Sequence, residues 1–243
     1  MKIASLLLAD SRLPTGGHAH SGGVEAAIAR GLLRDEADLV LFLAGRVRGS
    51  APVFAAIAAA GCLLAAESLP AVLPPVDSGP ADLGPADWGR WDAAVSARLP
   101  LAAAREASRA QGAALLRTAR RVWPSAPLDA LSATSRPHHS LVLGAAAAAS
   151  GGDAHDAASL AVHHLLGGIC SAAVRLLGLD PIAVAGVQAQ AYCPAEQALP
   201  SAVRVAGDAV ARTDTALLPS TGTPLPELLA ELHARTEVSL FAS

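Results

Sequence analysis

A single lysine, Lys2, is the severest scarcity in this 243-residue chain. No phosphate loop ending in Gly-Lys-Ser/Thr can be built without an internal lysine, nor a Schiff-base lysine or a Ser-x-x-Lys nucleophile. Cysteine is scarce too: Cys62, Cys170 and Cys193 are an odd number, scattered and without a C-x-x-C pair. That spacing excludes a disulfide framework and a cysteine-rich zinc site, and it fits a reducing compartment. The motifs G-x-S-x-G, G-x-G-x-x-G and H-E-x-x-H are also missing, which removes the usual signatures of α/β-hydrolases, dinucleotide binders and zincins. Charge is sparse, at 16% of residues, and balanced to a net −3 with a pI near 6.2. No chain-wide positive field is available to hold nucleic acid or an anionic membrane.

What the chain has in abundance is small apolar surface. Hydrophobic residues make up 52% of it, aromatics only 3%, and the mean hydropathy is +0.41. Alanine and leucine favour helices and strand formers are few, so summed propensity predicts an all-α, single-domain bundle of about eight to ten helices over residues 1–243. The first fourteen residues hold an apolar run broken by Asp10 and Arg12; with no small-residue cleavage site after them, they read as a core element rather than a leader. Leu141–Ala149 is too short to span a bilayer and His163 and His164 interrupt the next apolar stretch, so a soluble, cytoplasmic protein is expected.

Periodicity places the helices. Leu39, Leu43 and Val47 repeat every four residues behind a capping Asp35, predicting a helix over 35–48, and Ser50-Ala51-Pro52 opens another that runs to Glu67. Residues from about 70 to 100 are rich in proline and glycine and read as an excursion within the domain, the alternative being an interdomain linker, with one short helix over 88–98. A long helix follows over 101–122, its arginines reading as a solvated face. Apolar helices over 140–150 and 154–179 are candidates for the bundle centre. Further helices are expected over 182–191 and 200–215, and a last one from about Pro226 into the terminus.

Eight histidines include three local pairs, His18 with His20, His138 with His139, and His163 with His164. Imidazole suits divalent zinc, nickel or copper. Adjacent helical residues diverge by about 100°, however, so the two His-His pairs read as structural or surface groups. His18 and His20 lie in a glycine-rich turn where their rings can converge, and they are the remaining metal candidates.

That turn, Leu13-Pro-Thr-Gly-Gly-His-Ala-His-Ser-Gly-Gly-Val-Glu25, is the most informative stretch. Pro14, Gly16 and Gly17 make a tight connection, Ser21 can cap a helix, and Glu25 falls where a helix N-terminus favours negative charge. The segment resembles the N-terminal signature of the UreF family of urease accessory proteins. Ala104–Gly112, with Arg109 at its centre, is similar to the family's arginine-rich helix; Pro137–Gly144 resembles its His-His element, Ala172–Leu176, with Arg175, its Ala-Ala-Val-Arg-Leu, and Glu237–Ser243 its terminal Arg-Leu-Phe tail. The likenesses keep their order over nearly the whole chain. Asp180-Pro181 and Ser239 depart from the pattern, leaving Leu240 and Phe241 to anchor the tail.

The resemblance implies an all-α protein that is not an enzyme and binds no cofactor of its own. It implies a homodimeric adaptor that links a UreG-type GTPase and a UreD/UreH-type scaffold to apo-urease, nickel being handled by the complex. Burying Leu240 and Phe241 would contribute ~3 to 6 kcal/mol to docking, so a tail over about 235–243 is expected to hold the scaffold. Leu13, Pro14, Gly16, Gly17, His20, Ser21, Glu25, Arg109, Arg175, Glu237, Leu240 and Phe241 are the candidate partner-binding residues, the turn with Glu25, Arg109 and Arg175 reading equally as internal hydrogen-bonding groups. Two alternatives stay open: a chaperone that holds nickel through His18 and His20, and an unrelated helical interaction protein.

Overall fold

The computed structural model describes residues 2–14, 21–69 and 86–233. Its elements are ten α-helices and two 3₁₀ segments, with no strand among the described residues, so the all-α expectation holds. In chain order the helices are α1 (Val24–Ala29), α2 (Glu36–Arg48), α3 (Ser50–Glu67), α4 (Trp88–Arg98) and α5 (Ala102–Val122). They continue as α6 (Ala126–Leu131), α7 (His139–Ala149), α8 (Ala154–Leu177), α9 (Pro181–Ala211) and α10 (Pro224–His233). The 3₁₀ segments are Ile3–Ala9 and Thr215–Leu217.

Local chemistry sets the boundaries. Asp35 caps α2 by accepting from the Asp38 N–H at 3.0 Å, and Leu39, Leu43 and Val47 are buried along its inner face. Asp153 and Asp156 form a reciprocal capping box at the start of α8, and Gly178 ends that helix in the left-handed region at φ +66°. Asp180-Pro181 opens α9: the Asp180 carboxylate accepts from the Ile182 N–H at 3.0 Å, and Pro181 occupies a first-turn position where its missing N–H costs nothing. Ser21 does not cap α1 directly. Gly23, at φ +91°, holds the N-cap position, while buried Ser21 accepts from the Glu25 N–H at 3.4 Å.

The centre of the fold is α3, packed on α7, α8 and α9. It is buried nearly all round, and α7 is buried from Ser140 to Ala148. Helix α8 shares that central place as expected: it packs on α3, α7 and α9 and leaves only His155 and Arg175, near its two ends, exposed. Helices α3 and α7 meet backbone to backbone. A Cβ added to Gly144 would stand 2.0 Å from the Ala58 carbonyl oxygen, and one on Gly61 would stand 2.6 Å from that of Leu141. Helix α5 approaches the residues just before α7 in the same way: a Cβ added to Gly112 would stand 2.0 Å from the Pro137 carbonyl oxygen.

Three other expectations change. The N-terminal apolar run is not a core element: only Ser5 and Leu8 are buried, while Ile3, Leu6 and Leu7 face outward, because the run has no helical period to put them on one side. Residues 181–211 form one helix rather than two. Pro194 and Pro200 are exposed, as are Gln190 and Glu196, whose carbonyls lose their helical donors. The usual cost of an internal proline, ~3 kcal/mol, is softened by that hydration and offset by the buried line Val184, Ala195, Leu199, Ala202, Ala206 and Ala209. Helix α6 was not anticipated. Pro75 and its neighbours in the 70–85 stretch, and the chain after 233, lie outside the described residues.

Two helices, Ser50–Glu67 and Ala154–Leu177, are long and apolar enough to cross a membrane; 72% and 44% of their most apolar windows are buried inside the protein. Mostly buried core helices meet the same criterion, and they give no clear membrane signal.

The α3–α7 contact makes a sharp prediction. Replacing Gly144 by Ala improves helix propensity by about 1 kcal/mol, yet the added methyl has no room. Urea denaturation is expected to show a net loss of about 2 kcal/mol or more; an unchanged or stabilised variant would contradict the packing.

Candidate functional site

The described flanks of the glycine-rich turn are tied to the body. Leu13 packs half-buried on the core, and the Pro14 carbonyl accepts from the Thr118 hydroxyl of α5 at 2.9 Å. Gly16, Gly17, His18 and His20 lie outside the described residues, as do Glu237, Leu240 and Phe241. Glu25 is half-buried in the first turn of α1, one turn after buried Ser21.

Arg109 points inward. Its Nη2 donates to Asp92 Oδ2 at 3.0 Å and to Ser96 Oγ at 2.9 Å, and its Nη1 donates to the Arg136 carbonyl at 2.7 Å. Asp92, buried on α4, also accepts from the His138 backbone N–H at 2.9 Å. The His138 ring is enclosed between two hydroxyls, Ser96 at 2.9 Å from Nε2 and Ser108 at 3.0 Å from Nδ1. Burial pushes its pKa down to about 4, overriding the attraction of Asp92 for a charged ring, so the ring is neutral near pH 7. This network ties α4, α5 and the start of α7 together, and it is the physical content of both the arginine-rich helix and the Pro-His-His element. The solvated-face reading of α5 holds for Arg117, Arg120 and Arg121, which are exposed, but not for Arg105 and Arg109. Arg105 donates to the Leu99 and Pro100 carbonyls at 2.7 Å.

A second histidine group sits across α7, α8 and α9. His164 Nε2 donates to the Leu8 carbonyl at 2.6 Å, which leaves Nδ1 to accept from His139 Nε2 at 3.4 Å. Burial depresses the His164 pKa to about 4. His163 diverges from it and meets the Tyr192 hydroxyl at 2.7 Å, and Tyr192 in turn accepts from Gln188. Both ring nitrogens of His138 and of His164 are thus engaged, and a metal would have to displace a bond at either. Among the described residues, no group of three or more His, Cys, Asp or Glu is placed to hold a metal ion. The buried thiols of Cys62 and Cys170 are pushed up to about 12, chiefly by desolvation, so neither is a thiolate near neutrality.

These histidines border a cavity of about 560 Å³. Leu8 and Ser11 from the N-terminal segment, Gln111 from α5, His139 from α7, His164 and Arg175 from α8 and Glu227 from α10 all line it. Of the candidate residues, the structure therefore brings Arg175 to the cavity and puts Arg109 into the neighbouring network. Sequence reasoning missed Asp92, Ser96 and Arg46. Arg46, in the last turn of α2, is buried in the cavity wall; burial pulls its pKa down to about 10, with Glu227 pulling the other way. Its position in a last turn suits the helix dipole, which hid it among ordinary capping cations.

Comparison with known proteins gives one consistent result. A family model described as UreF matches residues 33–192. The urease accessory protein UreF of Mycolicibacterium vanbaalenii is 41% identical over 238 residues, covering 98% of this chain and 97% of its own. The UreF proteins of Mycobacterium marinum and Mycobacterium tuberculosis are 40% and 39% identical, over 98% of this chain and 97% of theirs.

The two depressed histidines fix the sign of the pH dependence. Each binds its proton more weakly folded than unfolded, about 4 against the ordinary 6.5. Stability is therefore full above pH 6.5 and falls as pH drops from there toward 4. Two such rings give a slope approaching about 2.7 kcal/mol per pH unit between those limits. Urea midpoints measured across that range check it, and His164→Gln is expected to cut the slope by about half.

Proposed function

Because the chain belongs to the UreF family of urease accessory proteins, we propose that it works as an adaptor in the maturation of the urease nickel centre. It is an accessory protein, not an enzyme. In this reading it joins a UreG-type GTPase and a UreD/UreH-type scaffold to apo-urease, acts as a homodimer in the cytoplasm, and carries no cofactor, nickel being the cargo of the assembly. The metal-holding alternative rests on His18 and His20, which lie outside the described residues.

The observation that carries the adaptor reading is the leucine exposed near both ends of the chain. On α10, Leu225, Leu228 and Leu232 are 54%, 51% and 44% exposed, while Leu229 between them is buried. At the other end Ile3, Leu6 and Leu7 are 86%, 52% and 47% exposed. Both end segments border the same cavity, through Leu8 and Glu227. A monomer gains nothing from leaving such side chains in water, and apolar clusters of this kind mark protein interfaces. Completing the burial of a half-exposed leucine is worth about 1 kcal/mol, so several together hold a partner. In the sequence Leu240 and Phe241 follow α10, with Glu237 between them and that helix. At the N-terminal end, exposed Pro14 and half-buried Leu13 and Glu25 take part in the same contact in this reading.

Pull-down of a UreD/UreH-type scaffold by the full chain tests this. Deleting Leu240–Ser243, or replacing Leu228 and Leu232 together by Ser, is expected to abolish capture. The Ser variant should unfold within about 1 kcal/mol of the parent, since these side chains contribute little to the monomer core. Undiminished capture by both variants rejects the proposal.

A further inference from the structure

Arg46 is a buried cation held by no ion pair among the described residues. It is 7% exposed, and its Nε is enclosed without a hydrogen-bond partner. Glu227 across the cavity is close enough to act on its charge, but among the described residues no ion pair joins them. An unpaired charge in a protein interior is costly, and the core face of α2 is already filled by Leu39, Leu43 and Val47. A residue placed at such expense beside an empty volume of about 560 Å³ is organised for something that enters.

We propose that this cavity is a binding site for an organic monocarboxylate whose carboxylate seats on the Arg46 guanidinium. The planar guanidinium fork matches a carboxylate in geometry and charge. Arg46 and Arg175 on the wall are matched in number by Asp10 and Glu227, so each negative charge a ligand brings leaves the site more anionic, and one is tolerated better than two. Leu8, Phe54, Leu99 and Ile169 supply apolar wall for the body of the ligand, and Ser108 and Gln111 offer hydrogen bonds. The volume falls in the range of about 300–1,000 Å³ that small organic ligands occupy. The same carboxylate chemistry arrives either on a free small molecule or on an acidic side chain of another protein. This inference does not depend on the adaptor reading, and its failure leaves that reading untouched.

Titration calorimetry and thermal shift on the full chain test it, with sodium hexanoate and sodium benzoate as free monocarboxylates, inorganic phosphate as the mostly dianionic control, and the capped peptide acetyl-Leu-Glu-Leu-amide. At least one monocarboxylate or the peptide is expected to bind saturably and to raise the melting temperature, with phosphate at least tenfold weaker. Tighter binding of the peptide than of both free acids identifies a protein side chain as the source, and the reverse order a small molecule. Arg46→Met should weaken binding tenfold or more and keep the fold, since it removes a desolvated charge. Gly168→Leu leaves Arg46 in place but fills open space in the cavity, where a Cβ meets nothing within 4 Å, and it too should abolish binding. No saturable binding by any carboxylate probe, equal binding by phosphate, or binding unchanged in both variants overturns the proposal.

Discussion

The closeness of α3 to α7 governs this fold. An interior made largely of alanine offers little apolar area per side chain, so it gains enough burial only if helix backbones come almost into contact. Gly61 and Gly144 permit that approach by leaving out the Cβ that would strike a carbonyl oxygen on the facing helix. With α3 and α7 locked together, α8 and α9 pack around α3 at the separations small side chains allow. The scarcity of aromatics has a second result. Few bulky groups are available to fill irregular space away from the tight centre, and the cavity between the N-terminal segment, α5, α7 and α8 stays open.

Where helices do not meet through small residues, buried polar groups hold them. Asp92, Arg109 and His138 form one such joint, with Ser96 and Ser108 taking up the remaining ring nitrogens. Its members satisfy one another, and that is the condition under which buried polar groups hold a fold rather than weaken it. Arg46 breaks the pattern: it is more enclosed than Arg109, yet its Nε has no hydrogen-bond partner. The contrast between the two arginines, one fully engaged and one not, separates a structural role from a binding one on the same physical criterion.

Much of the helical order was legible from the chain alone, because Leu39, Leu43 and Val47, or Ala and Leu from Ser50 to Glu67, announce their faces by spacing. The misreadings have definite causes. Pro194 and Pro200 look like helix breakers until both are seen on the solvent side of a helix whose inner line is held by α3. Ile3, Leu6 and Leu7 read as core because hydrophobicity was counted without a period to orient it. The site was less legible still. Arg109 stood out as a residue, but its partner Asp92 lies across the start of a different helix, and His138 meets it from 46 residues away. Long-range pairing of this kind leaves no local pattern.

A protein whose buried histidines are neutral, whose buried thiols are protonated and whose central helices are locked together has little in its described core with which to do chemistry. Its unspent free energy lies at the margins, in leucines half out of water on α10 and in the N-terminal 3₁₀ segment, and in one unpaired guanidinium between them. The rigid centre has a consequence for those margins. Because α3 and α7 cannot yield without clashing, a partner that buries the exposed leucines does not spend its binding energy deforming the body, and more of that energy is kept as affinity. Helix α10 and the N-terminal segment both border the Arg46 cavity, so a group seated there also touches the elements that carry the apolar surface. Occupancy and partner binding are then coupled to the extent that the two bound states favour one arrangement of these ends, and by linkage the coupling is the same in both directions.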